Sequence, residues 1–218
     1  MRLLFFVLLT VALGTTSCKK NKLKQPSYLN FTWEFFEQQS GTFQPVVTDG
    51  YFYLNQFRVT GTRVEGPAVD ILQALPVGKT TFSAGGSLGL SMDVPVGEYT
   101  QFSVELGVVN EVQPCLVLNG EYNNGVNVIP FRIEWETDEL LSFVPNATFT
   151  LEKKKNYDVT IGVDVEKLFQ TISINDWADA NITPEPNETI IISENFNHKL
   201  FTELNVQLEG ALTLKVSE

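Results

Sequence analysis

Apolar and polar residues alternate along much of this chain. Within residues 100–108, one side of an extended chain would carry Thr100, Phe102, Val104, Leu106 and Val108, and the other would carry Gln101, Ser103 and Glu105. The stretches FRIEWE (131–136) and NYDVTIGVDV (156–165) follow the same pattern. A period of two with one polar face predicts antiparallel strands that bury one face. Turn signals such as TDG, PVG and NNG separate these stretches.

Two stretches depart from the alternation. Val165, Leu168, Phe169 and Ile172 lie at helical spacing, and Ser173 or Asn175 follows as a cap for a short turn that carries Trp177. Apolar residues between 193 and 210 predict a longer helix, with a strand as the alternative, and ALTLKV after it reads as a last strand. The predicted fold is all-β, an antiparallel β-sandwich of the immunoglobulin or transthyretin type. It has one short helical insert and one helix in the C-terminal region, and it forms a single domain over residues 28–218.

The first 17 residues have the pattern of an export signal. A basic start at Met1 and Arg2 precedes an apolar run from Leu3 to Gly14, and small polar residues occupy 15–17. The run is shorter than the roughly 20 residues that a membrane-spanning helix needs. Residues 1–17 are therefore predicted to be a signal peptide that is not part of the fold.

Cys18 follows this signal directly. The stretch LGTTSC, residues 13–18, resembles the lipobox of bacterial lipoproteins, although Thr15 stands where that family usually has an aliphatic residue. The resemblance implies cleavage before Cys18, acylation of its thiol and, often, acylation of the new amino terminus. Two or three acyl chains would give a stable anchor, whereas one gives only marginal binding. Cys18 is thus the predicted lipidation site and membrane lipid the predicted partner; the alternative is a plain secreted protein.

Charge is unevenly distributed after the signal. Four lysines, at positions 19, 20, 22 and 24, lie in the predicted tether of residues 18–27. From Pro26 onward there are 10 basic against 26 acidic side chains, a formal charge of −16. The tether lysines either contact anionic head groups or belong to a simple polar spacer. The acidic body lacks the basic surface that phosphate contacts require, so no nucleic-acid partner is expected.

The sandwich sequence carries a second resemblance. The segments YFYLNQFRV (51–59), VDILQAL (69–75), VPVGEYTQFSVELGV (94–108) and VDVEKLF (163–169) are similar in order to a β-sandwich lipoprotein family of unknown function from the Bacteroidota. More distantly, they resemble the copper-binding periplasmic proteins associated with methanobactin. These likenesses imply the fold more than the function.

The resemblance to copper-binding proteins does not include the ligands of a metal site. Such a site needs several imidazole or thiolate ligands, and the chain has one histidine, His198, with Cys115 and Met92 far from it in sequence. We expect His198 on the surface of the C-terminal helix and Cys115 as a buried thiol, and we predict no metal and no cofactor. Residues 119–127 and 175–181 are rich in oxygen ligands but lack a calcium-loop motif, so calcium binding stays open.

Catalytic motifs are also missing from the sequence. There is no Gly-x-Ser-x-Gly elbow and no phosphate-binding loop, and a catalytic triad would have to use His198. The sequence therefore predicts a protein that is not an enzyme. A carboxylate pair acting on glycosides is kept as an alternative, because many acidic residues are available.

Aromatic residues are the candidate ligand-binding groups. One interpretation is an exposed platform on which sugar rings stack. The other is that Trp135, in phase with Phe131 and Ile133, belongs to the core and that Trp177 fixes a helix to the sandwich. The platform candidates are Trp33, Trp135 and Trp177, with Tyr51, Tyr53 and Tyr122.

Location and function follow from these observations. Lys19 after the cysteine is unlike the aspartate of an inner-membrane retention signal, so we expect the cell outer membrane. Surface export in the Bacteroidota resembles a rule that requires acidic residues here, and Asn21 and Lys22 favour the periplasmic face instead.

The predicted function is a membrane-anchored envelope lipoprotein, a non-catalytic binding or structural module. The alternatives are a carbohydrate-binding surface lipoprotein, a metal-binding periplasmic protein or a glycoside-acting enzyme.

Overall fold

The alternating stretches form strands over most of the chain. The structure, a computed structural model, describes residues 25–109, 111–136, 139–145, 147–184 and 188–218. The signal peptide, Cys18 and the four tether lysines lie outside the described residues. The strands are β1 (Ser27–Phe36), β2 (Pro45–Arg63), β3 (Val69–Ser83), β4 (Gly86–Val94), β5 (Gly97–Val108), β6 (Leu116–Asn123), β7 (Val128–Trp135), β8 (Glu139–Phe143), β9 (Phe149–Leu151), β10 (Asn156–Asp164), β11 (Ile190–Ile192) and β12 (Leu212–Ser217). The helices are α1 (Val165–Phe169), α2 (Ile174–Ala178) and α3 (His198–Ala211).

In the described residues the strands form two sheets, which confirms the all-β sandwich. The smaller sheet has the order β12-β10-β1-β4, and the larger has the order β11-β7-β6-β2-β5-β8, with β3 paired to β2 and β9 paired to β5. Most pairs are antiparallel, as predicted. Two are parallel, β1 with β10 and β7 with β11. The smaller sheet is therefore mixed, with β1 between an antiparallel and a parallel neighbour.

The 19-residue strand β2 organises the larger sheet. One of its edges pairs with β3, and the other pairs with β6 along its first half and with β5 along its second half. Val109 and Cys115 flank the point where the partner on this edge changes from β5 to β6. The N–H of Val109 donates to the carbonyl of Tyr53 (3.0 Å), and the N–H of Tyr53 donates to the carbonyl of Cys115 (2.9 Å).

Side chains from both sheets meet around Trp33. Its ring centroid lies 5.7 Å from that of Phe52, 4.1 Å from that of Phe82 and 6.0 Å from that of Phe143. The predicted inward residues of β7 and β10 are buried. Strand β5 differs at one point: Thr100 is exposed, because the register with β2 shifts between Thr62 and Arg63.

The predicted helical insert consists of two short helices, α1 and α2, and Ser173 is the N-cap of α2. The longer helix α3 begins at His198 rather than near Ser193. The Ser193 hydroxyl accepts hydrogen bonds from the N–H groups of Asn195 (3.3 Å) and Phe196 (3.2 Å). These bonds fold residues 193–196 into a turn. The strand predicted after Gly210 is β12. No helix among the described residues has the length and apolar character needed to cross a membrane.

Candidate functional site

The two ends of the sandwich are built differently. At the first, which we call the tether end, β1 begins beside the end of β4 and the start of β10, and residues 97–99 pair with 149–151. At the opposite end, the far end, β1 stops at Phe36 and β10 leads into α1. The loop 37–44 and both short helices cover the far end, whereas tight turns close the tether end.

A cavity of about 370 Å³, the far-end cleft, opens between that loop and the short helices. Its floor is apolar and aromatic, and its rim carries amides, carboxylates and a hydroxyl. It is lined by Glu37, Gln39, Thr42, Phe43, Gln44, Pro45, Val165, Glu166, Phe169, Gln170, Ile172, Ile174 and Trp177.

Side-chain caps fix α1 and α2 on the cleft. Asp164 accepts a hydrogen bond from the N–H of Lys167 (3.1 Å) at the start of α1. At α2, Ser173 Oγ accepts from the N–H of Asp176 (3.3 Å), and Asp176 Oδ2 accepts from the N–H of Ser173 (2.8 Å), which is a capping box. Lys199 of α3 donates to the other carboxylate oxygen of Asp176. The hydrogen bonds from Lys199 and then from Ser173 lower the pKa of Asp176 to about 2.

The floor of the cleft rests on an aromatic cluster, the Trp177 cluster. Trp177 stacks on Tyr122, with ring centroids 4.6 Å apart and planes 12° from parallel. Phe131 and Phe169 lie 5.3 Å and 5.8 Å from the same indole. These contacts hold Trp177 against the larger sheet and leave it 5% exposed, at the bottom of the cleft.

The loop 37–44 that forms the opposite wall has a strained backbone. Glu37 and Phe43 have φ values of +50° and +65°, which cost about 1–3 kcal/mol each for residues with a Cβ. The N–H of Phe43 donates to the carbonyl of Asn123 (2.6 Å), and Gln38 Oε1 accepts from the N–H of Val47 (2.8 Å). These bonds keep Phe43 at the lip of the cleft, where 41% of it is exposed.

The far-end cleft therefore has the composition of a binding pocket. Ligand sites are concave, mostly apolar and supplied with a few polar groups, and a volume near 300–1,000 Å³ is typical. An apolar ring can pack on the Trp177 side of the cleft while its polar substituents reach Gln39, Gln44, Gln170 or a rim carboxylate. Glu37 and Glu166 would favour a neutral or cationic group over an anion.

A second cavity of about 650 Å³, the outer groove, lies on the solvent face of the larger sheet. Thr60 and Ser103 share a hydrogen bond of 2.8 Å on its floor, and Thr62 donates to Gln101 (3.1 Å). The half-exposed ring of Phe149 forms part of one side and stacks on Tyr99 at a centroid distance of 5.7 Å. Hydroxyl and amide groups beside an aromatic ring suit a neutral polyol.

Asp70 lies at the edge of the outer groove. Arg58 donates two hydrogen bonds of 2.8 Å to its two carboxylate oxygens. The hydrogen bonding from Arg58 lowers the pKa of Asp70, so the carboxylate is ionised and already paired.

The structure corrects the expectation of a tryptophan platform. Trp33 and Trp135 are each 1% exposed and lie in the core, because their strands turn both rings inward, Trp33 toward the larger sheet and Trp135 toward α3. Neither can stack on a sugar. Trp177 is also buried, but it lines the far-end cleft.

The three candidate tyrosines divide into one buried residue and two half-buried residues. Tyr122 is buried under Trp177, whereas Tyr51 and Tyr53 are half-buried on the outer face of β2, with ring centroids 5.9 Å apart. Lys79 Nζ lies 3.7 Å from the centroid of Tyr51, and Arg132 donates to its hydroxyl (3.1 Å). Burial raises the pKa of Tyr51. One ring face of this pair is already covered by a cation.

Two further sequence predictions are confirmed. His198 is exposed on the first turn of α3, and Cys115 is buried, with its Sγ within 3.1 Å of the carbonyl of Trp135.

In the two oxygen-rich loops, side-chain oxygens serve local structure: Asn124 Oδ1 accepts from two N–H groups, and Asp176 caps α2. Among the described residues, no three His, Cys, Asp or Glu side chains are grouped as metal ligands.

The wall of the cleft was not predicted from the sequence. Phe43 and Ile174 are exposed apolar residues at its lip, and neither stands in a periodic stretch. The signal was a lone phenylalanine in the polar segment EQQSGTFQ (37–44), where no core requires one.

Comparison of the chain with protein-family models, with curated proteins and with solved structures found no significant match. The resemblances described from the sequence therefore stay predictions.

Proposed function

We propose that the protein is an outer-membrane lipoprotein, anchored through acylated Cys18 with its body on the periplasmic face, and that it acts as a non-catalytic binding module. The observation that carries the binding role is the far-end cleft. It combines a buried aromatic floor, a polar rim and a wall that contains two strained residues. Strain of this kind persists where the surrounding structure enforces it, and binding sites are among such places.

The cleft supports a small amphipathic ligand. A flat apolar group fits the floor, and hydroxyl, amide or amine groups fit the rim of glutamines and carboxylates. The position of the cleft agrees with this role, since it lies at the end of the sandwich opposite the predicted anchor and stays open to solvent when the protein is tethered.

The binding role is tested with N-phenyl-1-naphthylamine, an uncharged fluorescent probe of apolar clefts. Ile174→Lys places a charge at the lip of the cleft, and the matched control Val206→Lys makes the same change at an exposed position of α3. We expect saturable fluorescence with the native protein and with the control, and at least a tenfold weaker signal with Ile174→Lys. Soluble sugars, amines and peptides are then screened for displacement. Equal signals from both variants would argue against the cleft.

The anchor is tested by intact mass and detergent partitioning of the native chain beside Cys18→Ala, both expressed in a bacterium. We expect the native protein to lose residues 1–17, carry acyl mass and enter the detergent phase. The variant should stay aqueous or unprocessed. If neither protein carries lipid, the anchor proposal fails. Protease added to intact cells should leave the protein whole, and rapid digestion would place it on the cell surface instead.

The outer groove supports a second candidate function, carbohydrate binding. Its floor of hydroxyl and amide groups lies beside Phe149, which is the chemistry of a neutral sugar site. Thr62→Arg fills the groove, whereas Thr81→Arg makes the same change at an exposed position of β3 outside it. On an array of soluble oligosaccharides, only Thr62→Arg should abolish binding. Absence of binding by the native protein would remove this candidate.

A further inference from the structure

Two lysines differ from the other basic residues of the body. Ten basic side chains follow Pro26. Seven contact a carboxylate or an aromatic ring, and Arg63 donates to the carbonyls of Val96 and Pro67. Within the described ranges, Lys153 and Lys154 are left with neither kind of partner, and both are exposed.

Both lysines lie where the tether joins the sandwich. The N–H of Lys154 donates to the carbonyl of Pro26 (3.2 Å), and the N–H of Tyr28 donates to the carbonyl of Lys155 (3.0 Å). The Ser27 hydroxyl donates to the carbonyl of Glu152 (2.5 Å). These bonds clamp the turn 152–155 to the first described residues. Pro26 follows Cys18 by eight residues, which reach at most about 28 Å when fully extended.

The charge of the tether end differs from that of the whole body. The segments 63–68, 93–98 and 152–155, which close this end, hold together with Glu218 four basic and five acidic side chains, so they are close to neutral. Lys155 pairs with two of those acids, Glu152 at 3.3 Å and Glu218. Nearly all of the negative excess therefore lies outside these segments. The side chains counted are Arg63, Lys153, Lys154, Lys155, Glu65, Asp93, Glu98, Glu152 and Glu218.

We infer that the turn 152–155 is a docking surface for anionic lipid head groups of the bilayer that holds Cys18. This inference rests on the proposed lipid anchor. Lys153 and Lys154 add to the four tether lysines, and together they outnumber the unpaired carboxylates of the tether end. The same head groups repel the acidic remainder of the body, which also turns that remainder away from the membrane. The sandwich then stands end-on, with the far-end cleft away from the membrane.

The test uses the acylated full chain reconstituted in vesicles of phosphatidylcholine alone or with 30% phosphatidylglycerol. An amine-reactive acetylating reagent and peptide mass spectrometry report the modification rate of each lysine. In anionic vesicles at low salt, we expect about a fivefold or greater fall in rate at Lys153 and Lys154, since each lysine at such a surface is worth on the order of 1 kcal/mol. The fall should vanish in 0.5 M salt. Lys167 and Lys199, which lie on helices away from this turn, should react equally in both vesicle types.

Matched variants sharpen the result. In Lys153→Gln/Lys154→Gln, the protection of Lys155 by anionic vesicles should fall, whereas Lys167→Gln/Lys199→Gln, with the same charge change, should retain it. Equal rates in the two vesicle types would overturn the docking surface while flotation with the vesicles upholds the anchor. Failure to float with either vesicle type would overturn the anchor, and the docking surface with it.

Discussion

The core around Trp33 and the Trp177 cluster are both groups of aromatic side chains, but they are covered differently. Trp33 lies between two sheets, and rings from β2, β3 and β8 surround it. Trp177 lies against one sheet and is covered by two five-residue helices and a strained loop. Sheets on both sides seal a core, whereas short helices and a loop leave a cleft. The structure that covers the rings, a second sheet in one case and short helices with a loop in the other, therefore decides which cluster is open to a ligand.

Replacing Trp33 should give the largest effect. Trp33→Ala leaves a cavity that two sheets cannot close, so we expect a loss of about 3–5 kcal/mol in the free energy of unfolding. Urea denaturation followed by circular dichroism measures it. Trp33→Phe is the matched control and should cost less, because it keeps a ring and removes an indole N–H that has no hydrogen-bond partner among the described residues. A cost below about 1 kcal/mol for Trp33→Ala would mean that this core is not sealed.

Replacing Trp177 should cost less and should change binding as well. Trp177→Leu removes the stack on Tyr122, and the short helices can settle into part of the space, so we expect a loss of about 2 kcal/mol. Binding of N-phenyl-1-naphthylamine should weaken at the same time. Trp135→Leu, a core change outside the lining of the cleft, should reduce stability without affecting probe binding of the folded protein. If both variants lose the probe equally, the loss is not specific to the Trp177 cluster.

The smallest effect is expected at the cap that holds Trp177 in place. The pKa of Asp176 is lowered from 3.8 to about 2 in the folded protein, so the carboxylate stabilises the fold above about pH 4 and this contribution is lost as the pH falls toward 2. Asp176→Asn should cost about 1 kcal/mol at neutral pH and should flatten the stability profile between pH 4 and 2. The exposed neighbour Asp179 provides a control, since Asp179→Asn leaves the capping box intact. An unchanged profile in Asp176→Asn would contradict this role.

Periodic stretches of the sequence predicted their structure well. Phe131, Ile133 and Trp135 are inward residues of β7, and the alternation over 156–165 became β10 and the first residue of α1. Ser173 was one of the two residues named as a cap, and its hydroxyl and the carboxylate of Asp176, three residues later, form a local pair. In each case the physical cause acts within a few residues, so one sequence is enough to see it.

Features that depend on distant partners were not predicted. Alternation shows that β10 buries one face, but not that β1 pairs with it in parallel. The bulge that exposes Thr100 depends on β2, and the start of α3 depends on a turn made by Ser193. The candidate site follows the same rule. The floor of the cleft includes Trp177, which the sequence suggested, whereas its opposite wall comes from residues 37–45, more than 100 positions earlier.

Because β1 pairs in parallel with β10, the smaller sheet cannot be completed until β10 is available. Thr32 and Thr160 are neighbours across this pair, although 128 residues separate them. In the export that we propose, the amino end crosses the membrane first and β1 is delivered long before β10, so this apolar strand would have one free edge until most of the protein had crossed. Pairings of such high contact order form slowly and leave strand edges open to aggregation. We therefore expect closure of the smaller sheet to limit the folding rate, and the exported chain to need protection from other chains until residue 164 has arrived.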